Sequence, residues 1–369
     1  MAKKMYVGVS GVARNVKKIY IGVNGIARKV KKAYVGVAGV ARLFFNSSGL
    51  SYYGTATDLS DARQYPAATT VGNYALFGGG YGSSASAVVD AYNTSLTRST
   101  PTALSDDRYD PSATTVGNYA LFGGGYSGSL ASSAVVDAYN TSLTRSTPTV
   151  LSVARYSLAA TTVGNYALFG GGTRGSNNSF AVDAYDTSLT RSAPARTLSY
   201  ARPLLAATTV GNYALFGGGA SVAYVDAYDT SLTLSRPTAL SEARGRVVAT
   251  TVGNYALFGG GQYFDALAVV DAYDTSLTRS TPAALSEARY FLAATTVGNY
   301  ALFGGGDNGS ANLAVVDAYD TSLTRSTPTA LSEARKRFDA TTVGNYALFG
   351  GGRNTASVLA VVDVYTYTN

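Results

Sequence analysis

The stretch Thr69–Gly80, T-T-V-G-N-Y-A-L-F-G-G-G, decides how this chain is read. It returns unchanged at Thr114–Gly125, Thr161–Gly172, Thr208–Gly219, Thr250–Gly261, Thr295–Gly306 and Thr341–Gly352. The seven copies are spaced by 45, 47, 47, 42, 45 and 46 residues. A period of this length marks a repeat architecture, in which one unit cannot bury its own apolar face and must stack on its neighbours.

Working outward, each unit predicts four short strands and no helix. A-T-T-V forms strand a and Gly72-Asn73 a tight turn. Y-A-L-F-G is strand b, and V-V-D-A-Y (Val88–Tyr92) strand c. After the turn Asn93-Thr94-Ser95, strand d is read in Leu96–Leu104. Strand b is apolar on both faces, Tyr74 and Leu76 on one, Ala75 and Phe77 on the other. Such a strand fits a sheet covered on both sides. Four-stranded sheets packed face to face around an axis make a β-propeller. The seventh unit ends at Asn369 after its c strand, while Ser51–Ser60 looks like a spare d strand. The two would complete a seventh blade and close the ring without an open edge.

The G-G after strand b, the V-V-D-A-Y-D/N-T segment and the Arg that opens each unit resemble the kelch motif over residues 51–369. The resemblance implies a seven-bladed kelch-type propeller, an architecture used mostly for interaction and by a few enzymes. Kelch repeats usually carry a Trp on the fourth strand. This chain has no Trp, and Leu96, Leu143 and their equivalents stand there instead.

The copies differ from one another in two windows. The first follows the repeated Arg (Arg63, Arg108, Arg155, Arg202, Arg244, Arg289, Arg335), and the second follows the triple glycine. From the Arg to the third Gly is always 17 residues, whereas from that Gly to the V-D aspartate varies from 7 to 12. Lengthening a surface loop costs only about 0.6 kcal/mol per doubling. In an antiparallel a-b-c-d meander both windows fall at one end of the sheet and both invariant turns at the other. Diversity confined to one face is what a recognition surface would show, and the windows hold the aromatic and polar mixture of a paratope. The alternative is drift in idle loops, against which stands the cost of exposing so many aromatic rings. The expected binding residues are Gln64, Tyr65, Tyr81, Tyr109, Asp110, Tyr126, Tyr156, Arg174, Leu204, Tyr224, Arg246, Tyr263, Phe264, Tyr290, Phe291, Asp307, Lys336, Arg337, Phe338 and Arg353. The seven repeated arginines and the V-D aspartates (Asp90, Asp137, Asp183, Asp226, Asp271, Asp317, Asp363) are expected to serve structure, as ion pairs or backbone caps.

Composition narrows the chemistry. With no Cys and no His, Cys/His metal sites, imidazole bases and His-containing triads are excluded. The G-G-G runs neither open a helix nor precede Lys-Ser/Thr, so no phosphate loop is expected. The D-T-S triplets recur in equivalent turns and read as Asx turns, and Asn93-Thr-Ser is a weak glycosylation match. Asp110, Asp265, Asp307 and Asp339 fall in different blades, a poor arrangement for a carboxylate pair. No catalytic residue, metal or cofactor is expected.

Residues 1–45 stand apart. They hold ten of the chain's 29 Lys and Arg and none of its 22 Asp and Glu. A nine-residue motif recurs every 14 residues, at Tyr6–Arg14, Tyr20–Arg28 and Tyr34–Arg42, with Ser10-Gly11, Asn24-Gly25 and Ala38-Gly39 at its centres, and predicts three β-hairpins. So thin an array should pair with copies or dock on a scaffold. The arm resembles N-terminal repeats on appendage proteins of phages and prophages of gut Firmicutes.

The expectation is an all-β protein: a hairpin arm (1–45), a linker (46–50) and a propeller (51–369). It would be a non-enzymatic recognition protein of a virion or the extracellular space. It would bind a host surface protein or glycan through its variable face and a multimeric scaffold through its arm, with self-association through the arm and no membrane insertion. Two alternatives stay open: a lectin or glycan-active enzyme, and an intracellular scaffold whose arm binds nucleic acid.

Overall fold

A computed structural model describes residues 6–9, 12–15, 19–23, 26–30, 32–37, 40–46, 49–129 and 131–368. The chain divides into two compact units, Met1–Leu50 with Tyr367–Asn369, and Ser51–Thr366. In the first, three antiparallel strand pairs join Tyr6–Val9 to Val12–Asn15, Ile19–Val23 to Ile26–Val30, and Lys32–Val37 to Val40–Asn46. The turn residues proposed for these hairpins lie outside the described residues.

The second unit is a seven-bladed β-propeller. In blade 1, strands a (Ala67–Val71), b (Tyr74–Gly78), c (Val89–Asn93) and d (Arg98–Ser99) pair in sequence order, and blades 2–6 repeat the pattern. Blade 7 takes its outermost strand from Gly49–Thr55, beside Val362–Thr368, so the ring closes through the N-terminal side of the propeller. Strand d is shorter than its sequence suggests. Leu96 does not lie on it but sits in the preceding turn with φ 61°, as do Leu143, Leu189, Leu232, Leu277 and Leu323. Each of these leucines fills partly buried space between blades.

The core lies between blades. Leu76, Val89 and Ala91 of blade 1 pack on Ala120, Phe122 and Tyr139 of blade 2, and the same contact joins blade 7 to blade 1 through Leu348, Val362 and Phe77. The first glycine of each triplet is fixed by this packing. A Cβ on Gly78 would stand 2.7 Å from the Phe122 ring, and the equivalent clash recurs around the ring to Gly350 against Phe77. Seven threonine pairs line the inside, from Thr69 with Thr115 (3.0 Å) round to Thr70 with Thr341 (2.9 Å), giving a closed circle of hydroxyl contacts. On one rim the invariant turns interlock, Gly72 with Thr141 and Gly344 with Thr94.

Candidate functional site

The two variable windows of each blade meet by backbone pairing. Gln64 pairs with Tyr81, Tyr156 with Thr173, Gly245 with Gln262, Tyr290 with Asp307, and Lys336 with Arg353. Tyr109 pairs with Tyr126. In blade 4 the Ala220 N–H donates to the Pro203 carbonyl at 2.9 Å. Both windows therefore lie together, at the end of every blade away from the invariant turns.

An invariant frame grips them from both sides. The guanidinium of Arg63, fully buried, donates to Asp90 at 2.6 Å and to the Phe77 carbonyl at 3.1 Å. Arg108, Arg155, Arg202, Arg244, Arg289 and Arg335 make the same pair with Asp137, Asp183, Asp226, Asp271, Asp317 and Asp363. The third glycine of each triplet donates its N–H to the carbonyl of the next blade's arginine, from Gly80 to Arg108 (2.9 Å) round to Gly352 to Arg63 (2.8 Å). The constant 17-residue spacing follows. The 17 residues run through strands a and b with their invariant turn, and the Arg and Gly at the two ends are a clamp, each bonded to an adjacent blade, while the residues just after each are free to change.

The middle residue of the first window forms an inner ring: Tyr65, Asp110, Ser157, Leu204, Arg246, Phe291 and Arg337. All seven are left-handed, with φ between 51° and 61°. Backbone bonds run from blade to blade through them, Tyr65 N–H to Arg337 (2.7 Å), Asp110 to Tyr65 (3.1 Å), Leu204 to Ser157 (3.0 Å), Arg246 to Leu204 (2.9 Å) and Arg337 to Phe291 (3.1 Å). At the joint between blades 2 and 3, the Asp110 carboxylate accepts the Ser157 hydroxyl and N–H. A left-handed L-residue costs on the order of 1–2 kcal/mol, which glycine avoids. None of the seven is glycine.

The ring surrounds an axial cavity of about 540 Å³. Its wall includes all seven ring residues together with Tyr109, Tyr156 and Asp339. Aromatic rings run along one arc in mutual contact: Tyr156 to Tyr126 (5.0 Å), Tyr126 to Tyr109 (5.5 Å), Tyr109 to Tyr65 (6.3 Å), Tyr65 to Phe291 (6.2 Å) and Phe291 to Tyr290 (5.1 Å). The Arg246 and Arg337 guanidiniums stand 4.7 and 4.8 Å from the Phe291 ring, and Arg337 also lies 5.0 Å from Tyr65. Burial pushes the Tyr65 phenol up to about 12. A second hollow of about 400 Å³ opens between blades 1 and 2, beside Tyr81, Ser84 and Asp107.

Several expected binding residues are spent inside the protein. Phe338 is 6% exposed and wedges against Gly305, beneath the Arg335 guanidinium. It occupies the third window position, where Pro66, Pro111, Leu158, Leu205, Val247 and Leu292 are also buried. Gln64 is buried, and so is Asp307, which is bound by Lys336 at 2.7 Å. Burial works to raise the Asp307 carboxyl, but Lys336, the Gly309 N–H and the Tyr290 hydroxyl hold it below its usual value. The cost of exposing aromatics is smaller than expected, because Tyr109, Tyr126, Tyr156, Tyr290 and Phe291 half-bury one another. Tyr81, Tyr224, Tyr263 and Phe264 are open to solvent, Phe264 at 80%, and Arg174, in the second window of blade 3, is exposed as well. Arg353 is half-buried. Tyr200, 5.6 Å from Tyr224, and Phe180 are exposed and add to the expected residues. Tyr200 precedes the Arg clamp and falls outside both windows.

The carboxylates also differ from expectation. Separate blades bring Asp110 and Asp339 to one cavity. Burial raises Asp110 to about 6 against the pull of Ser157, and Asp339 to about 7 against the N–H groups of Ala340 and Ala68. Among the described residues no group of three or more acids suits a metal ion. No protein-family model matches the chain, and a search of curated proteins finds no match.

Proposed function

We propose that this propeller is a non-enzymatic recognition protein that binds a host surface protein or glycan through its variable face. The observation that carries the reading is the inner ring. Seven side chains of six kinds are kept at left-handed positions where glycine would be easier, around an open cavity, while an invariant clamp holds the backbone. Other left-handed sites in the repeat are either glycine or the packed Leu96 series, apart from Ala220 and Ser221. A costly side chain that does not pack the core is retained for what it meets.

The kelch-like Arg, G-G and V-D-A-Y elements support an interaction module of that kind. The arm's resemblance to phage appendage repeats supports attachment to a virion, with the arm holding copies to a multimeric base and the propeller facing the host. Size measurement by light scattering tests the arm. An oligomer for the full chain is the expected result, and a monomer removes the anchoring role. The face is tested by binding of the labelled full chain to bacterial cells and to immobilised glycans. Replacing the exposed Tyr81, Tyr263 and Phe264 with Ser should weaken binding at least tenfold with the melt unchanged. Equal binding by wild type and variant would overturn the proposal.

A second reading, a glycan-active enzyme, draws on the shared cavity of Asp110 and Asp339. Both carboxyls are already engaged by Ser157 or by backbone N–H groups, which favours a positional role. Release of reducing sugar from a bound glycan, abolished by Asp339→Asn, would favour the enzyme instead.

A further inference from the structure

We infer that the axial cavity takes a carboxylate-bearing sugar residue at the end of a glycan, held by Arg246 and Arg337. This rests on the recognition reading above and names the ligand chemistry of its central site.

The two arginines differ from the frame arginines next to them in the sequence, Arg244 and Arg335. Each frame arginine meets an aspartate within 2.9 Å. Among the described residues Arg246 and Arg337 have no carboxylate partner; the polar side chains they reach are the neutral amides of Gln262 and Gln64. Both stand within 5 Å of one phenyl ring, Phe291, so the cavity wall carries two cations that no ion pair holds. Contact with the ring limits the room each guanidinium has, and a planar carboxylate is the group such a fork binds best.

The acids nearby cancel this charge only in part. Asp110 is engaged by Ser157, and Asp339 accepts N–H bonds from Ala68 and Ala340 at 2.7 and 2.8 Å. Burial also moves both carboxyls toward the neutral form. The valence left for a ligand on this wall is therefore positive. The rest of the wall selects the body that carries the anion. Tyr65, Tyr109 and Phe291 offer flat faces, Ser157 is beside them, and about 540 Å³ suits one or two sugar rings. A free anion such as phosphate would leave the aromatic arc unused.

The test titrates the full chain, by calorimetry or ligand-observed NMR, with methyl β-D-glucuronide, D-glucuronate, methyl β-D-glucoside and an acetylated, amidated Asp-Glu dipeptide. Methyl β-D-glucuronide should bind, more tightly than the free acid and at least tenfold more tightly than the neutral glucoside. Raising NaCl to about 0.5 M should weaken it. The R246Q/R337Q variant should lose at least tenfold, and R246K/R337K should recover only part of the affinity. These comparisons include one on wild-type protein alone, so a variant that fails to fold leaves the test intact. Equal binding of the neutral glucoside, tighter binding of the reducing sugar D-glucuronate, or preference for the dipeptide would overturn the inference. So would unchanged affinity in folded R246Q/R337Q. If R246Q/R337Q still binds cells fully while the Tyr81/Tyr263/Phe264 variant does not, the cavity assignment fails and the recognition reading stands.

Discussion

Two circles of left-handed residues mark the two ends of this propeller, and they obey opposite rules. The circle beside the c–d turns is leucine six times over, from Leu96 to Leu323, and every member packs into a gap between blades. The circle at the cavity mouth is Tyr, Asp, Ser, Leu, Arg, Phe and Arg, with one backbone shape throughout. The same strained conformation is thus retained at one end for packing and at the other for diversity. Strain alone does not distinguish a structural site from a binding site; how the side chain varies among equivalent positions does.

The comparison predicts a steep contrast under mutation. The largest effect belongs to the clamp. Asp183→Ala leaves Arg155 buried without its counter-ion, a loss of about 3–5 kcal/mol or outright failure to fold. Arg246→Ser, a few residues beyond a clamp, should change stability by less than about 1 kcal/mol. Chemical denaturation compares the two, and similar losses would dissolve the distinction between clamp and filling.

Next come the circles themselves. Leu277→Gly removes packing and should cost about 1–2 kcal/mol even after relief of strain, whereas Leu204→Gly should be neutral or stabilising by up to about 1 kcal/mol. Opposite shifts in melting temperature are expected; a destabilised Leu204→Gly would mean that the inner ring is also packing.

A smaller effect concerns Asp339, where other blades have mainly Ala. Its folded value of about 7 lies above the ordinary 3.8, so the folded state keeps the proton across that interval. The contribution of this carboxyl to stability is greatest below about pH 4 and is lost as pH rises through 7. Asp339→Ala should flatten this slope and gain on the order of 1 kcal/mol at pH 8 relative to wild type, with little gain at pH 4. Parallel pH–stability curves would remove this account of the residue.

The smallest lies in blade 4. Arg98, Arg145, Arg191, Arg279 and Arg325 each pair with the V-D aspartate, and in blade 7 Tyr52 reaches Asp363 at 2.6 Å. Blade 4 has Leu234 at this position, and Asp226 Oδ1 is buried with no partner. Leu234→Arg should add about 0.5–1 kcal/mol in thermal denaturation; a loss would show that Leu234 packs too well to replace.

Much of this frame can be read in the sequence because every unit repeats it. The seven T-T-V-G-N-Y-A-L-F-G-G-G copies locate strands a and b, and the Ser51–Ser60 segment points to the closing strand, which runs over Gly49–Thr55. Alternation along a meander locates the end of a blade at which each window lies. It does not give distance from the axis, and the remaining errors follow from that. Tyr65 and Arg337 are 272 residues apart in sequence yet share a backbone bond, and Asp110 and Asp339 share a cavity. Phe338 follows two exposed-looking residues but turns inward, as Pro66 and Leu292 do. The left-handed backbone of the inner ring carries no glycine or asparagine signal, because its residues are kept against local preference.

The central claim is that an invariant clamp supports a ring whose side chains serve binding. It is tested most directly by replacing Tyr65, Asp110, Ser157, Leu204, Arg246, Phe291 and Arg337 together with glycine in the full chain. Cell and glycan binding and the thermal melt would then be measured side by side. The account predicts a propeller that still melts cooperatively, within a few degrees of wild type, and binds at least tenfold more weakly. A folded variant with undiminished binding would contradict it.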